Sequence, residues 1–334
     1  TGILIKNPDP ADATASGVAN SGLINYLNKF GYSGIYETYD NVSELYYAAQ
    51  LYLRGRAPPV GYSDNLTAAL KDDFPVITGN NLLRQGTRDP MINTCQKNFI
   101  LGIGDINTHC DGNLPGSNNT KCGGGTPPDT DGINVQSLWS SIAGMEGLAL
   151  NGAVGVGGGV GLNGGNTPYI ASLAFWGNTN DIRSDLAGTQ NIRTYWVDVL
   201  EAWTGTVAQA SLRKTQYWMA TKYGGFKTDL ISGNNPNTNP LSWDGNGNGS
   251  PDNWFAGNSP TLLRNGLSTA FADIASISAG GSASSAAVTS SRQTSSSQII
   301  YAGYDPKDWS GSVRACSPVQ TAAQCTASPI WEAS

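Results

Sequence analysis

The order of apolar and polar positions divides this chain into helices, short apolar strands and turn-rich loops. Near the start, SGLINYLNKFG puts Leu23, Ile24, Leu27 and Phe30 on one helical stripe that Gly31 ends. YDNVSELYYAAQLYLRG repeats the pattern with Val42, Leu45, Tyr46, Ala49, Tyr52 and Leu53. Asn41 is placed to cap that helix, Glu44 to reach back to it, and Gly55 to close it. Residues 56–90, with Pro58-Pro59 and many turn formers, read as loop. Then NFILGIGD (98–105) forms a short, continuously apolar run, as expected of a strand buried on both faces of an α/β sheet. Asp105 falls at its carboxyl end, where open α/β sheets bind ligands.

The same alternation continues. VQSLWSSIAGMEGLAL and TPYIASLAFWGNTNDIR read as helices, and residues 192–200, IRTYWVDVL, as a second core strand. SLRKTQYWMATKYGG reads as a helix with Gly224-Gly225 as a left-handed cap. Ser259-Pro260 opens a last helix with Leu263, Leu267, Phe271 and Ile274 as its buried stripe. Between these, GAVGVGGGVGLNGG contains G-x-G-x-x-G, but no strand-to-helix switch with an acidic residue downstream surrounds it. It reads as a flexible excursion rather than a phosphate loop. Strands alternating with helices predict a doubly wound α/β domain over residues 1–278. After Ile277 the composition changes to a serine-rich stretch of linker or edge-strand type. QIIYAGYDPKDWSGSVRAC then alternates as a hairpin does, so residues 279–334 read as a linker and β-hairpin.

Composition narrows the setting. Charged residues are 13%, well under the roughly 25% of an average soluble domain. Amides and hydroxyls take over the surface, as suits a secreted protein. The formal charge is −6 and Lys and Arg are not clustered, so no nucleic-acid footprint is present. No run of about 18 uninterrupted apolar residues appears, so no segment reads as a membrane-spanning helix. Both ends, TGI and PIWEAS, read as the middle of a longer protein. Of five cysteines, Cys110 and Cys122 flank a turn-rich loop and Cys316 and Cys325 flank another, so two short disulfides, Cys110–Cys122 and Cys316–Cys325, are expected in an oxidising compartment. Cys95 is left as a buried free thiol or one paired outside this sequence. With His109 the lone histidine and no C-x-x-C, neither a zinc site nor a Ser–His triad has its material.

The most specific chemical signal is D244-G-N246-G-N248-G-S250-P-D252. It matches the first nine positions of a twelve-residue calcium loop, with side-chain oxygens from Asp244, Asn246, Asn248 and Asp252 and a backbone carbonyl from Ser250. Phe255 stands at position 12, where a bidentate Glu would close the site. Two carboxylates and two amides predict weak binding, with a Kd toward roughly 10⁻⁴–10⁻³ M, and favour Ca²⁺ over the stricter Mg²⁺. The alternative is a glycine-rich turn without an ion. Asp129-Thr130-Asp131-Gly132 is a fainter version and reads as a solvated turn. Paired carboxylates for glycoside cleavage have no support in spacing, so a secreted polysaccharide-acting enzyme ranks below a non-enzymatic surface protein.

The strings SGLINYLNKFG, YDNVSELYYAAQLYLRG, CQKNFILGIGDINTHCDGNLPG, TNDIR, YWVDVLE, KYGGF, WDGNGNGSPDNWF and DPKDWSGSV resemble, in order, the PilY/PilC family of type IV pilus tip proteins. The similarity runs from about residue 17 to 315. The resemblance implies a von Willebrand factor A-like domain followed by a β-propeller, with IWEAS as an opening propeller strand. It also implies an adhesion site of magnesium type, with Asp105 as its third motif and Asp40 and Ser43 at its second. The first motif, D-x-S-x-S after an apolar strand, is absent. Asp12-Ala13-Thr14-Ala15-Ser16 has its spacing but follows NPDP, so the implied site is incomplete. For function, the resemblance implies a secreted tip protein that works with minor pilins in assembly, contacts host or abiotic surfaces and modulates retraction in a calcium-linked way. A structural filament component is the competing reading.

Overall fold

The computed structural model describes residues 41–56, 59, 62, 89–91, 93–104, 111–119, 132–148, 167–200, 205–208, 214–279, 286–288, 299–305, 310–317 and 328–333. The first helix of the sequence reading, Asp12–Ser16, Asp40, Asp105, both cysteines of the expected Cys110–Cys122 pair, Asp129–Asp131 and the 152–165 glycine run lie outside them. The chain divides between Gly266 and Leu267 into two compact units.

The first unit is mixed α/β, built on a parallel sheet of order β1-β2-β3: Asn98–Gly104, Ile192–Asp198 and Trp254–Ala256. Register runs from Asn98↔Ile192 to Gly104↔Asp198, and from Trp196↔Trp254 to Asp198↔Ala256. The helices are α1 (Val42–Leu53), α2 (Val135–Glu146), α3 (Tyr169–Thr179) and α4 (Gln216–Tyr223), and α5 (Pro260–Ala279) begins in this unit and runs past its boundary at Gly266. Residues 169–178 of α3, YIASLAFWGN, are all buried, as an all-round apolar helix must be. It packs against α1, α2, α4 and β2 and forms the centre of the core. Because side chains alternate along a strand, Thr194 and Trp196 face this helical layer while Val197 faces the other way. There Val197 and Phe255 meet Gly266 of α5.

Several local expectations change. Along α1 the buried side chains are Ser43, Glu44, Tyr46, Tyr47, Gln50 and Leu51, whereas Leu45 and Tyr52 are exposed. Three of those buried residues are polar because each has a partner: Ser43 Oγ donates to Asp111, Asn113 N–H donates to Glu44, and Gln50 Nε2 donates to the Leu173 carbonyl. Asn41 makes no side-chain capping bond to the α1 backbone. β1 is half-buried rather than covered on both faces, with Ile103 53% exposed. Gly224 has φ −95°, so it is no left-handed cap. It is glycine for space, since a Cβ would sit 2.6 Å from both Ala174 Cβ and Thr194 Oγ1. Ser259 does cap α5, accepting from Leu262 N–H at 3.3 Å. Its expected stripe is only half-buried, however; Gly266 and Ala270 are buried while Phe271 is exposed.

In the second unit, β4 (Ala286–Val288), β5 (Ile299–Asp305), β6 (Ser310–Cys316) and β7 (Trp331–Ala333) form an antiparallel sheet in that order. The expected hairpin is β5–β6, in register from Ile299↔Cys316 to Asp305↔Ser310. Cys316 is buried and disulfide-bonded, and Cys325 lies outside the described residues. Cys95 is a free thiol, and it is exposed rather than buried.

Candidate functional site

The 244–252 loop enters β3 and is anchored at both ends. Lys227 N–H donates to the Ser242 carbonyl at 2.8 Å, and Asn253 Nδ2 donates to the Thr194 carbonyl of β2 at 2.9 Å. Within it the acidic and amide oxygens gather around their own backbone. Asp244 accepts from Asn248 N–H at 3.0 Å and from Gly249 N–H at 2.8 Å. Asp252 accepts from Gly245 N–H at 3.0 Å and from Asn246 Nδ2 at 3.3 Å. Asn246 Oδ1 accepts from Asn248 N–H, and Asn248 Oδ1 from Ser250 N–H. Gly247 and Gly249, at φ 70° and 81°, take left-handed conformations that side chains resist, which lets six residues curl around one point.

These residues could hold a hard cation such as calcium: they offer oxygens only, two of them from carboxylates, on a curled backbone. Asp244 is buried and Asn246 and Asn248 are exposed, so one wall of the loop is fixed and the other open to water. Phe255, at the closing position, is part of β3, and a sheet residue with an apolar side chain supplies no ligand. Among the described residues no three His, Cys, Asp or Glu converge, so the fit rests on amide, carbonyl and water oxygens as well as the two carboxylates.

Ser43 falls in a second cluster. Asp111, in the 3-10 turn Asp111–Asn113, is fully buried, and its Oδ2 accepts from Ser43 Oγ at 2.8 Å and from Thr167 Oγ1. Glu44 lies beside them. Burial pushes its carboxyl up, against hydrogen bonds from Asn113 and Asn41 that pull it down. Ser43 therefore meets Asp111 and Thr167, while Asp40 and Asp105 lie outside the described residues. At the carboxyl end of β2, Asp198 is fully buried and accepts from Thr215 Oγ1, Trp254 Nε1 and Leu200 N–H. Sequence reasoning missed Asp198, although its strand-end position was the same signal that singled out Asp105. Nothing in spacing pointed to Asp111 or Thr167, which are brought together from 56 residues apart.

A third cluster pins the segment ahead of the loop to two helices. Glu146 ends α2, Lys222 lies on α4, and their side chains are each 3% exposed and 2.5 Å apart. Glu146 Oε1 also accepts from Tyr223 Oη at 2.8 Å and Asn237 Nδ2 at 3.2 Å, and Oε2 accepts from the exposed Lys214. Burial alone would raise the Glu146 carboxyl, but Lys222, Tyr223 and Lys214 outweigh it and hold it at about 2. Burial lowers the Lys222 ammonium, against the pull of Glu146. Lys222 Nζ stands 4.3 Å from the Trp243 ring centre and 5.3 Å from that of Trp218.

Among known proteins, the chain is 37% identical over 268 residues to the type IV pilus biogenesis factor PilY1 homolog of Xylella fastidiosa. The alignment covers 72% of this chain and 21% of that protein, so the chain spans about a fifth of the relative's length. No family model matches the chain. No solved structure matches it.

Proposed function

Over that aligned stretch the chain belongs to the PilY1-like family of type IV pilus biogenesis factors, and from this premise we propose that it is a segment of a non-enzymatic pilus tip protein. In this reading it is exported to the cell surface, works with minor pilins in pilus assembly or retraction, and contacts host or abiotic surfaces. The identity to a named biogenesis factor is the observation that carries it. The three-stranded parallel sheet with its helical layer supports the α/β part of this reading, in which the domain is doubly wound and von Willebrand factor A-like. No helix among the described residues is long and apolar enough to cross a membrane, which is compatible with export.

Calcium enters as a stabiliser of the 244–252 loop. Asp244 and Asp252 supply the charge, Asn246, Asn248 and the Ser250 carbonyl complete the protein's share, and water fills the position that Phe255 leaves. An adhesion-type Mg²⁺ site built on Asp105, Asp40 and Ser43 lacks its first motif, and Ser43 is already engaged by Asp111. We assign surface contact to the protein and not to that site. The test is co-purification: tagged protein from cells that co-express the minor pilins should retain them through washing. Recovery no better than from an untagged control removes the assembly reading.

A further inference from the structure

Lys222, Glu146 and Asn237 stand in an arrangement that goes beyond an ion pair. Lys222 Nζ lies 2.6 Å from Asn237 Oδ1 and 2.5 Å from Glu146 Oε1. Asn237 Nδ2 donates to Glu146 Oε1 at 3.2 Å and to the Met145 carbonyl at 2.8 Å. An amine, an amide and one carboxylate oxygen thus meet in a ring, with the amide nitrogen turned to the carboxylate and the amide oxygen to the amine. Lys222 and Glu146 are buried, and the rings of Trp243, Trp218 and Tyr223 keep water from the amine. Asn237 is exposed at its outer side, which leaves a way out for a small product.

We propose that Lys222 and Asn237 become joined by a side-chain isopeptide bond, formed within the chain and with Glu146 as the catalytic residue. Lys222 first passes a proton to Glu146, which leaves a neutral amine beside a neutral carboxyl. The Nζ lone pair attacks Cγ of Asn237, and the carbonyl π pair moves onto Oδ1. Glu146 gives its proton to Nδ2 and takes one from Nζ. The carbonyl re-forms, the Cγ–Nδ2 bond breaks, and ammonia leaves, taking the proton from Glu146 as it goes. The sum is a lysine ammonium plus an asparagine amide giving a secondary amide plus ammonium, with no change of oxidation state and the carboxylate regenerated.

Burial lowers the Lys222 ammonium, while Lys222, Tyr223 and Lys214 hold the Glu146 carboxyl low, so the neutral pair that the first step needs is a minor population. Only one turnover per molecule is required, so a small neutral population suffices. The product closes a covalent ring from α4 to the 3-10 turn Pro236–Thr238, just ahead of the 244–252 loop. In a surface protein under load, the loop would then stay attached even when its hydrogen bonds open.

The test is peptide mass spectrometry on the purified 334-residue chain. Trypsin does not cut at an acylated lysine, so the linked form leaves residues 215–227 joined to residues 228–264, lighter than their sum by one ammonia. Mass loss alone is insufficient, because Asn246-Gly247 and Asn248-Gly249 can lose ammonia as succinimides; fragment ions spanning both peptides decide. The linked species should be absent in Lys222→Arg and Asn237→Ala. It should form about a hundredfold more slowly in Glu146→Gln, as loss of a general acid–base predicts. Cleavage after Lys222 with no joined peptide, in wild-type protein that is folded and fully aged, overturns the proposal without reference to any variant. Linking in folded Glu146→Gln at the wild-type rate overturns the role of Glu146.

Discussion

Gly102→Ala is the sharpest perturbation of the scaffold. A Cβ at Gly102 would lie 2.0, 2.3 and 2.4 Å from Cζ3, Cε3 and Cη2 of Trp196. Ordinary contact begins near 3.4 Å, so 3.4 − 2.0 = 1.4 Å must be found. The indole has nowhere to retreat. It is 4% exposed and stacks on the fully buried Tyr217 with centroids 4.4 Å apart and planes within 10°. Extra atoms forced into a packed core cost about 1–3 kcal/mol, and the confinement of Trp196 argues for the upper end. With a urea dependence of roughly 3 kcal/mol/M, the unfolding midpoint should fall by about 1 M. Tryptophan fluorescence during urea titration measures it. The control is Trp196→Leu, in which adding Gly102→Ala should cost far less, giving a coupling of about 1–3 kcal/mol. If Gly102→Ala unfolds within 0.2 M of the parent while Trp196 is present, the packing of β1 on β2 is not as described.

Three further outcomes follow from named contacts. Calcium at about 100 times its Kd should stabilise the protein by about 2.7 kcal/mol, seen as a higher melting temperature, and Asp244→Ala should remove that gain; an equal gain in the variant reduces the loop to a turn. Hydrogen bonds and charge from the buried Arg183 hold the Asp89 carboxyl below its usual range. Its folded value is depressed, so its contribution is complete above the unfolded value of about 3.9 and is lost as pH falls through the folded value; Asp89→Asn should flatten the acid limb of a stability–pH curve and lower stability most at neutral pH. Cys95 is exposed and free, so a maleimide should label it in the folded protein, and Cys95→Ser should abolish that fast reaction.

Periodicity revealed the elements because burial and period coincide in them. NFILGIG and IRTYWVD are largely apolar runs of strand length, and YIASLAFWGN is largely apolar on every side; each forms the element its pattern predicts, although β1 is only half-buried. The pattern failed where polar groups are buried in pairs. Ser43, Glu44 and Gln50 occupy the inner face of α1 because Asp111, Asn113 and Leu173 meet them there, and no local rule anticipates partners so distant in sequence. Gly224 read as a cap, yet it is glycine, like Gly102 in β1, because another side chain occupies the space. The 244–252 grid was visible because all its oxygens lie within nine residues. The Glu146–Lys222–Asn237 cluster was not, since its members lie 15 and 76 residues apart and look like ordinary surface polar residues.

The central claim, that the chain comes from a type IV pilus biogenesis factor, is tested most directly by deleting the gene that encodes it and measuring pilin sheared from the cell surface. The account predicts that surface pilin falls sharply while cellular pilin remains, and that the intact gene restores it. Undiminished surface pilin in a deletion strain with no second copy of the gene would contradict it.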